Sequence, residues 1–265
     1  MTELDGSVID PDVPSVARIY DFLLGGKENY AADREAAAQL IELAPTLAEI
    51  ARQNRDFLGR AVRFVAGQGV TQFLDIGAGL PTQENVHQVA QAINPGARTV
   101  YVDKDPGVLS HGRALLSGDP RTTIVVGDLS DPAGILQNPE VTRLIDFTRP
   151  VCLLLVAILH FVPDAADPLG LITALRDAVV PGSYLVMSHA SIGAGPEVTD
   201  AGTEAMRVYE QANANLSLRS RNQVRALAEG FEPIPPGLVF VTEWRPEAQA
   251  EAAYDPIFAF VGRKP

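Results

Sequence analysis

Short β-rich runs alternate with helical stretches from about residue 71 to the end of the chain, and this alternation constrains the fold most strongly. The pattern is typical of a parallel sheet with helices on both faces. Seven runs predict strands: QFLDI (72–76), RTVYVD (98–103), TTIVVG (122–127), VCLLLVAIL (151–159), SYLVMSHA (183–190), LVFVTEW (238–244) and IFAFVGR (257–263). The fourth run is apolar on successive residues, as expected of a central strand that is buried on both faces.

Four segments between these strands carry helix start signals: 83–93, 106–117, 167–179 and 221–229. Pro168 stands at the favoured first helical position of the third, while Ser220 can cap the fourth and Gly230 can end it. The segment 245–256 between the last two strands is short and contains two prolines. Because a crossover helix of ordinary length does not fit there, we expect these strands to pair antiparallel.

The segment before the first strand looks helical, because its apolar residues recur near 3.6 spacing. This stripe consists of Leu47, Ile50, Phe57, Leu58, Ala61, Val62 and Val65. It predicts an N-terminal helical cap or lid, residues 1–70, packed against a core domain of residues 71–265. A further helical pattern predicts an insertion in that domain at about residues 196–218.

Composition and charge narrow the classes of function. Hydrophobic residues make up 46% of the 265 and charged residues 20%, which is ordinary for a globular protein. The formal net charge of −12 opposes phosphate backbones and anionic lipid, so we expect neither a nucleic-acid nor a membrane partner. The apolar stretch 151–159 is too short for a membrane helix, and the acidic N-terminus is unlike a signal peptide. The single cysteine, Cys152, with no Cys/His zinc pattern, indicates a cytoplasmic protein without a metal.

Three acidic residues fall at the ends of predicted strands. Asp75, Asp103 and Asp128 are 28 and 25 residues apart, about one strand-helix unit each. Ligands of open parallel sheets bind outside the carboxyl ends of the strands, so we expect the three carboxylates to surround one site. Asp103 can accept hydrogen bonds from both ribose hydroxyls, and Asp128 can accept one from an adenine amino group.

The loop after the first strand discriminates between two adenosine cofactors. Gly77 and Gly79 lack a Cβ, so the backbone can turn tightly and approach a ligand closely. The dinucleotide fingerprint GxGxxG needs a glycine where Thr82 stands, and Pro81 removes an amide donor that a pyrophosphate would use. S-adenosylmethionine (SAM) has no phosphate, so the loop favours SAM over NAD.

The chain resembles the class I SAM-dependent methyltransferases, and within them a bacterial family with the N-terminal signature PSxARxYDxLLGGKxNY. The matching segments are PSVARIYDFLLGGKENYAADR (14–34), RQNRDFLGRAVRF (52–64), FLDIGAGLPTQENVHQVAQ (73–91), YVDKDPGVLSHGRALL (101–116), VVGDLSDP (125–132) and ILHFVPD (158–164). The resemblance implies a Rossmann-like, seven-stranded, mostly parallel sheet with an antiparallel last strand, helices on both faces and an N-terminal helical extension. It also implies an enzyme that uses SAM.

The resemblance further implies where SAM contacts the chain. It places Asp75, Gly77 and Gly79 near the amino-acid part of SAM, and Asp103 at the ribose. At the adenine it places Asp128 with Leu129. The remaining residues that we expect to bind the cofactor are Tyr20, Gly26, Lys27, Pro81 and Asp105. Pro81 departs from the superfamily pattern, which most often has a third glycine there.

The tract around Gly25 and Gly26 has two interpretations. The glycines can let the chain turn over the cofactor, with Tyr20 or Tyr30 closing the site against water. Alternatively, Gly25 ends a helix after FLL, and the aromatic residues pack the cap against the core.

Two histidines are candidates for the base that a weak nucleophile needs. His160 is the leading one, because it follows the fourth strand and ILHFVPD resembles the histidine-bearing turn of small-molecule O-methyltransferases. An imidazole titrates near neutrality and can accept a proton from a hydroxyl. His189, at the end of the fifth strand, is the second candidate. Either histidine can instead make purely structural hydrogen bonds.

The sequence thus predicts in-line methyl transfer from SAM to a small-molecule acceptor. A regulatory protein that binds SAM without turnover is an alternative, because no unambiguous catalytic constellation follows the fourth strand. An NAD(P)-dependent oxidoreductase is the less favoured third reading.

Overall fold

One open sheet organises the computed structural model, which describes residues 9–81, 84–116, 118–192, 198–246 and 256–265. The strands within these ranges are β1 (Gln72–Ile76), β2 (Arg98–Asp103), β3 (Thr122–Val126), β4 (Cys152–Val156), β5 (Tyr184–Ala190), β6 (Glu232–Pro233), β7 (Val239–Phe240) and β8 (Ile257–Arg263). Their spatial order is β3-β2-β1-β4-β5-β8-β6, and β7 also pairs with β8. β1 to β5 are parallel, whereas β8 runs antiparallel to β5, β6 and β7.

The mostly parallel sheet with an antiparallel last strand is therefore confirmed, and so is the antiparallel pairing of β7 with β8. Strand order reverses between β1 and β4: the chain builds outward from β1 to β3 and then crosses back to β4. Such a reversal opens a crevice at the carboxyl ends of the two central strands.

The fourth strand is shorter than the predicted range 151–159. β4 ends at Val156, because Ala157 has a φ of 55° and its N–H donates to Ser188 Oγ over 3.0 Å. A short 3-10 turn, Leu159–Phe161, follows. The apolar residues beyond β4 therefore belong to a turn at the carboxyl end of this central strand.

The sixth predicted strand, 238–244, contributes only Val239–Phe240. The chain turns after Phe240, whose carbonyl accepts the N–H of Glu243 over 2.9 Å. Trp244 is nonetheless fully buried, with its ring 5.6 Å from that of Phe57. The sequence pattern of 238–244 therefore resembled a strand because the turn after Phe240 also buries apolar side chains, Val241 and Trp244. The exposed pair Glu232–Pro233 was missed because it has no apolar alternation.

Helices surround the sheet. In the described ranges they are α1 (Val16–Leu23), α2 (Ala31–Leu43), α3 (Leu47–Gly67), α4 (Val86–Ile93), α5 (Pro106–Leu116), α6 (Pro132–Gln137), α7 (Pro139–Leu144), α8 (Pro168–Ala178), α9 (Asp200–Gln211) and α10 (Arg221–Leu227). The four predicted helices correspond to α4, α5, α8 and α10, with ends shifted by up to three residues. Gln83, Ser117 and the first two residues of the predicted insertion lie outside the described residues.

Local signals account for several of these boundaries. Pro168 begins α8, and the side chain of Asp167 accepts the N–H of Gly170 there. Ser220 caps α10 by accepting the N–H of Gln223. Both starts were predicted from the sequence. No helix in the described part of the chain has the length and apolarity of a membrane span.

Apolar side chains pack on both faces of the sheet and in a third cluster. α3 belongs to the first of these layers, where Phe57 and Val62 are fully buried. The third cluster joins α1, α2 and α9 through Ile19, Leu40 and Val208. The predicted helical extension therefore consists of α1 to α3. The division into a cap, residues 1–70, and a core domain, residues 71–265, stays a prediction.

Candidate functional site

A cavity of about 1050 Å³ lies at the carboxyl ends of the parallel strands. Each of β1 to β5 contributes to its lining through residues at or just after its end: 75–79, 103–106, 127–130, 156–158 and 190–192. Helices α1, α2, α3 and α9, together with the segments before α1 and after α9, line most of the rest. Small-molecule sites measure about 300–1,000 Å³, so this cavity leaves room for a second ligand beside a cofactor. Asp75, Asp103 and Asp128 all line it, as their spacing predicts.

The loop after β1 adopts backbone geometry that requires its two glycines. Gly77 has a φ of 76°, and a Cβ there would lie 2.6 Å from the side chain of Ile158. Gly79 has a φ of 66°, and its N–H donates to Asp103 Oδ2 over 2.8 Å. Glycine is therefore needed once for close approach of the turn after β4 and once for the left-handed backbone.

Asp103 is held by backbone donors on both oxygens. Oδ2 accepts the N–H of Gly79, and Oδ1 accepts the N–H of Asp105 over 2.9 Å. Burial nevertheless raises the pKa of Asp103, because it outweighs these bonds. Each carboxylate oxygen has two lone pairs, so both keep the capacity to accept another hydrogen bond.

Asp75 is the most strongly perturbed carboxylate of the cavity. Burial raises the pKa of Asp75 to about 7, and the neighbouring charge of Asp103 contributes in the same direction. The guanidinium of Arg55, on α3, opposes this rise. Arg55 lines the cavity, and its Nε has no hydrogen-bond partner among the described residues although it is buried.

Asp128 is more exposed than the other two carboxylates. Lys104 Nζ lies 3.2 Å from Oδ2, and the N–H of Ser130 donates to Oδ1 over 2.9 Å. Burial raises the pKa of Asp128, but these bonds and the lysine charge outweigh it and lower the pKa overall. Leu129, beside it, is buried and lines the cavity.

The N-terminal segment forms another wall. Arg18 and Asp33 are both buried and make an ion pair of 2.7 Å between Nε and Oδ2. Asp33 Oδ1 accepts the N–H of Ser15 over 2.8 Å, and the Ser15 hydroxyl bonds to the carboxylate of Asp105. Asp105 is thus engaged beside Asp103. Residues of the N-terminal tract thereby connect α1 and α2 to the loop after β2.

The tract around Gly25 ends α1. Gly25 follows the helix with a φ of 81°, and the N–H of Gly26 donates to Asp21 O over 2.8 Å. Of the residues expected at the cofactor, Tyr20 lines the cavity, but Gly26, Lys27 and Pro81 are not among the described lining residues. Pro81 borders a small neighbouring pocket. The geometry matches the helix-stop interpretation.

His160 lines the cavity on the turn after β4. The N–H of Ala190 donates to its Nδ1 over 3.3 Å, so this bond places the proton of the neutral ring on Nε2. Burial, followed by His189 and Arg219, lowers the pKa of His160 well below its usual value. The ring is therefore neutral at pH 7, with Nε2 left for a ligand.

His189 is fully buried and is not among the described lining residues. Its Nδ1 lies 2.6 Å from Ala190 O, and its Nε2 lies 2.8 Å from Arg219 Nη1. Arg219 also donates to the carbonyls of Leu159 and Val162, over 2.9 and 2.7 Å. Both nitrogens of His189 are thus engaged, and Arg219 holds the turn that carries His160.

Aromatic residues line the cavity near α9. Tyr209 and Phe161 meet edge to face, with centroids 5.2 Å apart. Burial raises the pKa of Tyr209 to about 12, with a smaller contribution from Tyr20. The Tyr20 hydroxyl donates to Ala51 O over 3.0 Å and accepts from Asn54 Nδ2 over 2.9 Å.

Sequence reasoning missed Ser15, Arg55, Phe161 and Arg219. Ser15, Arg55 and Phe161 lie in segments quoted for the family resemblance, which was the available signal for them. The role of Arg219 depends on contacts between distant segments. Among the described residues, no group of three or more His, Cys, Asp or Glu side chains is arranged to hold a metal ion.

The comparisons with known proteins cover almost the whole chain. A family model described as S-adenosyl methyltransferase matches residues 2–265. The crystal structure of a DUF574 family protein from Streptomyces avermitilis is 40% identical over 97% of this chain and 100% of that one, with a TM-score of 0.92. A protein from Thermobifida fusca, proposed to be a methyltransferase, is 41% identical over 99% of both chains, with a TM-score of 0.91.

A more distant structure shares the fold alone. An O-methyltransferase family 2 protein from Planctomyces limnophilus, crystallised with apigenin, is 15% identical over 89% of this chain and 68% of that one. Its TM-score is 0.50. None of the curated proteins matches the chain.

Proposed function

Because the chain belongs to the S-adenosyl methyltransferase family and is a SAM-dependent methyltransferase, we propose that it methylates a small-molecule acceptor bound beside SAM in the strand-end cavity. The observation that carries this proposal is the gathering of Asp75, Asp103 and Asp128 around one cavity with space for a second molecule. The negative net charge is consistent with a small-molecule acceptor rather than nucleic acid. A cytoplasmic location belongs to the same proposal.

The residues of the cavity fit the parts of SAM. Asp103 has acceptor capacity for the ribose hydroxyls, and Asp128 with Leu129 suits the adenine. Asp75 offers a carboxylate to the ammonium group of the amino-acid part. The cationic Arg55, with its unpaired Nε, suits the carboxylate of that part. This assignment extends the expected set of contacts by Arg55.

Bound SAM supplies a methyl group on a sulfonium, which is already activated for displacement. The main task of the chain is then to position the acceptor in line with that methyl group, and orientation alone can supply about 7–11 kcal/mol. The Ile158 side chain lies against the backbone of Gly77, and this contact brings the loop after β1 and the turn after β4 together.

His160 is our proposed base, because it lines the cavity and is neutral at pH 7. Its tautomer sets a condition: Nε2 can take a proton only after Nδ1 gives up the bond from Ala190 and carries the proton itself. Replacing His160 with glutamine tests this role, since an amide can hydrogen-bond the acceptor but cannot act as a base. A fall of about 10²-fold or more in the rate of methyl transfer would support His160 as the base. Near-normal turnover by His160→Gln would assign the ring to positioning. We propose that His189 only positions the turn.

Transfer of a labelled methyl group tests the acceptor class. The enzyme is incubated with methyl-labelled SAM and a cell extract, and unreacted SAM is then removed by cation exchange. Label above that of the extract alone is counted in the remaining acid-soluble small molecules and in the precipitate of protein and nucleic acid. We expect label in the soluble fraction, and none with Asp103→Ala. Label confined to the precipitate would overturn the small-molecule proposal while leaving SAM use intact.

A further inference from the structure

We propose that the methyl acceptor is a neutral, largely apolar molecule with one hydrogen-bonding group, bound between α1, α9 and the turn after β4. We name this part of the cavity the acceptor chamber, and its walls are Tyr20, Leu43, Leu47, Phe161, Ala205 and Tyr209. The inference rests on the proposed function and deepens it by naming the class of acceptor.

The walls of the acceptor chamber present apolar and aromatic surface. Tyr20, Leu47, Ala205 and Tyr209 pack on the cluster that joins α1, α2 and α9, and each keeps part of its surface exposed. Phe161 continues this wall toward the turn after β4 through its edge-to-face contact with Tyr209. Removing apolar surface of this kind from water is favourable, so an apolar ligand that covers it is stabilised.

Formal charge is concentrated in the other half of the cavity. The charged lining residues there are Arg55, Asp75, Asp103, Lys104, Asp105 and Asp128, which lie on α3 or at the ends of β1 to β3. Two further charged residues, Asp10 and Arg18, line the cavity from the N-terminal segment, and the charge of Arg18 is neutralised by its buried ion pair with Asp33. The acceptor chamber as defined carries no formal charge on its walls. An ionised acceptor would therefore lose hydration without gaining an opposite charge, which penalises anions and cations alike.

Tyr209 provides a polar group in this apolar setting. Its hydroxyl makes no hydrogen bond to any described residue, whereas the Tyr20 hydroxyl already donates to Ala51 O and accepts from Asn54. With a pKa of about 12, the Tyr209 hydroxyl stays uncharged at neutral pH and can either donate or accept. It is therefore suited to orient one polar group of an otherwise apolar ligand.

The acceptor chamber also adjoins the proposed reaction centre. The ring of Phe161 lies 4.4 Å from that of His160, centroid to centroid. His160 is in turn on the turn whose Ile158 packs against Gly77 of the cofactor loop. An acceptor in the chamber thus has a continuous path to the loop that we assign to SAM.

A matched pair of probes tests the class of acceptor. Calorimetry at pH 7 on the protein saturated with S-adenosylhomocysteine (SAH), the demethylated product, compares 2-naphthol with 2-naphthoate, which share a ring system but differ in charge. We expect 2-naphthol to bind at least about 10-fold more tightly, a difference of about 1.4 kcal/mol. Equal binding of both, tighter binding of 2-naphthoate, or binding of neither would overturn the inference.

Three variants locate the probe. Ala205→Phe fills the acceptor chamber at a partly exposed wall, so it should abolish 2-naphthol binding and leave SAH affinity unchanged. Tyr209→Phe removes one hydroxyl and should weaken 2-naphthol about 2- to 10-fold, the effect of one hydrogen bond. Tyr30→Phe is the matched control, because Tyr30 is exposed and is not among the described lining residues. Tyr30→Phe should leave the affinities for 2-naphthol and for SAH unchanged.

The outcomes separate the inference from the proposed function. Wild-type 2-naphthol affinity in Ala205→Phe would remove the probe from the acceptor chamber and overturn the inference, while SAH binding still supports the cofactor site. Failure of the wild-type protein to bind SAH would instead overturn the proposed cofactor contacts, and the inference with them.

Discussion

Single carboxylates set the properties of the cofactor half of the cavity. Asp75 and Asp103 end parallel strands in the interior of the sheet, so burial raises the pKa of both, whereas Asp128 is further exposed and has a lowered pKa. A cationic or hydroxyl-bearing ligand that reaches Asp75 and Asp103 relieves their desolvation. Ligand binding and protonation are therefore linked at this site.

Replacement of Asp103 should weaken cofactor binding. Asp103→Asn removes the charge that accepts hydrogen bonds from the ribose, and bonds to charged groups contribute about 1.5–3 kcal/mol. We therefore expect the SAH dissociation constant, measured by calorimetry, to rise roughly 10- to 150-fold. Asp177→Asn, on the exposed surface of α8, is the control and should bind normally. Unchanged affinity in Asp103→Asn would remove Asp103 from the ribose site.

The pKa of Asp75 predicts that cofactor affinity depends on pH. Below pH 7 the buried carboxyl of the free protein is mostly protonated and attracts an ammonium group weakly; above pH 7 it is ionised. SAH affinity should therefore rise between pH 5.5 and 7.5 and level off above it, with proton release on binding near pH 6.5. Calorimetry in two buffers with different ionisation enthalpies measures that proton. In Asp75→Asn the pH dependence should disappear; a persisting rise would assign it to another group.

At the scale of elements, the turn after β4 depends on a residue that belongs to no helix or strand. Arg219, just before α10, is buried and donates to two carbonyls of the turn, to His189 and to the carboxylate of Asp164, over 2.6 Å. The regular structure between β4 and α8 consists of two short 3-10 segments, Leu159–Phe161 and Asp164–Ala166. The conformation of the turn therefore comes from Arg219 as much as from its own sequence.

Arg219→Met should disturb both stability and the acceptor chamber. Two buried carbonyls and His189 would lose their donor, so we expect the free energy of unfolding in urea to fall by at least about 2 kcal/mol. At a temperature where the variant is folded, 2-naphthol should bind more weakly while SAH binds as in the wild type. Arg225→Met, on the exposed side of α10, is the control. Equal weakening of both ligands would argue for general disruption and against a positioning role.

At the scale of the whole molecule, the helices before β1 form part of the cavity wall. α3 packs into the core of one sheet face, while α1 and α2 join α9 from the far end of the chain. The buried ion pair of Arg18 and Asp33 joins α1 to α2. Ser15 connects this pair to the loop after β2, because it hydrogen-bonds both Asp33 and Asp105. The cavity is therefore complete only when the N-terminal helices are packed in place.

Loss of Arg18 should destabilise the whole assembly. Arg18→Met leaves the carboxylate of Asp33 buried without its cation, and breaking such a pair costs about 3–5 kcal/mol. The free energy of unfolding in urea should fall by that amount, with SAH restoring part of it by mass action. Arg34→Met, an exposed position on α2, should cost less than about 1 kcal/mol. Similar small losses in both variants would show that the buried pair does not fasten the N-terminal helices.

The sequence by itself determined the sheet, the helix starts and the cofactor edge, because these follow from local patterns. Apolar runs encode buried strands, Pro168 and Ser220 encode helix starts, and the spacing of Asp75, Asp103 and Asp128 places them at one edge. Only the tertiary structure decided which residues form the other walls of the cavity, on α1, α9 and the turn after β4. Tyr20 and Tyr209 are 189 residues apart in the sequence and pack on the same apolar cluster, and Arg219 reaches a turn sixty residues earlier. Such contacts arise from packing between distant segments, which no local periodicity records.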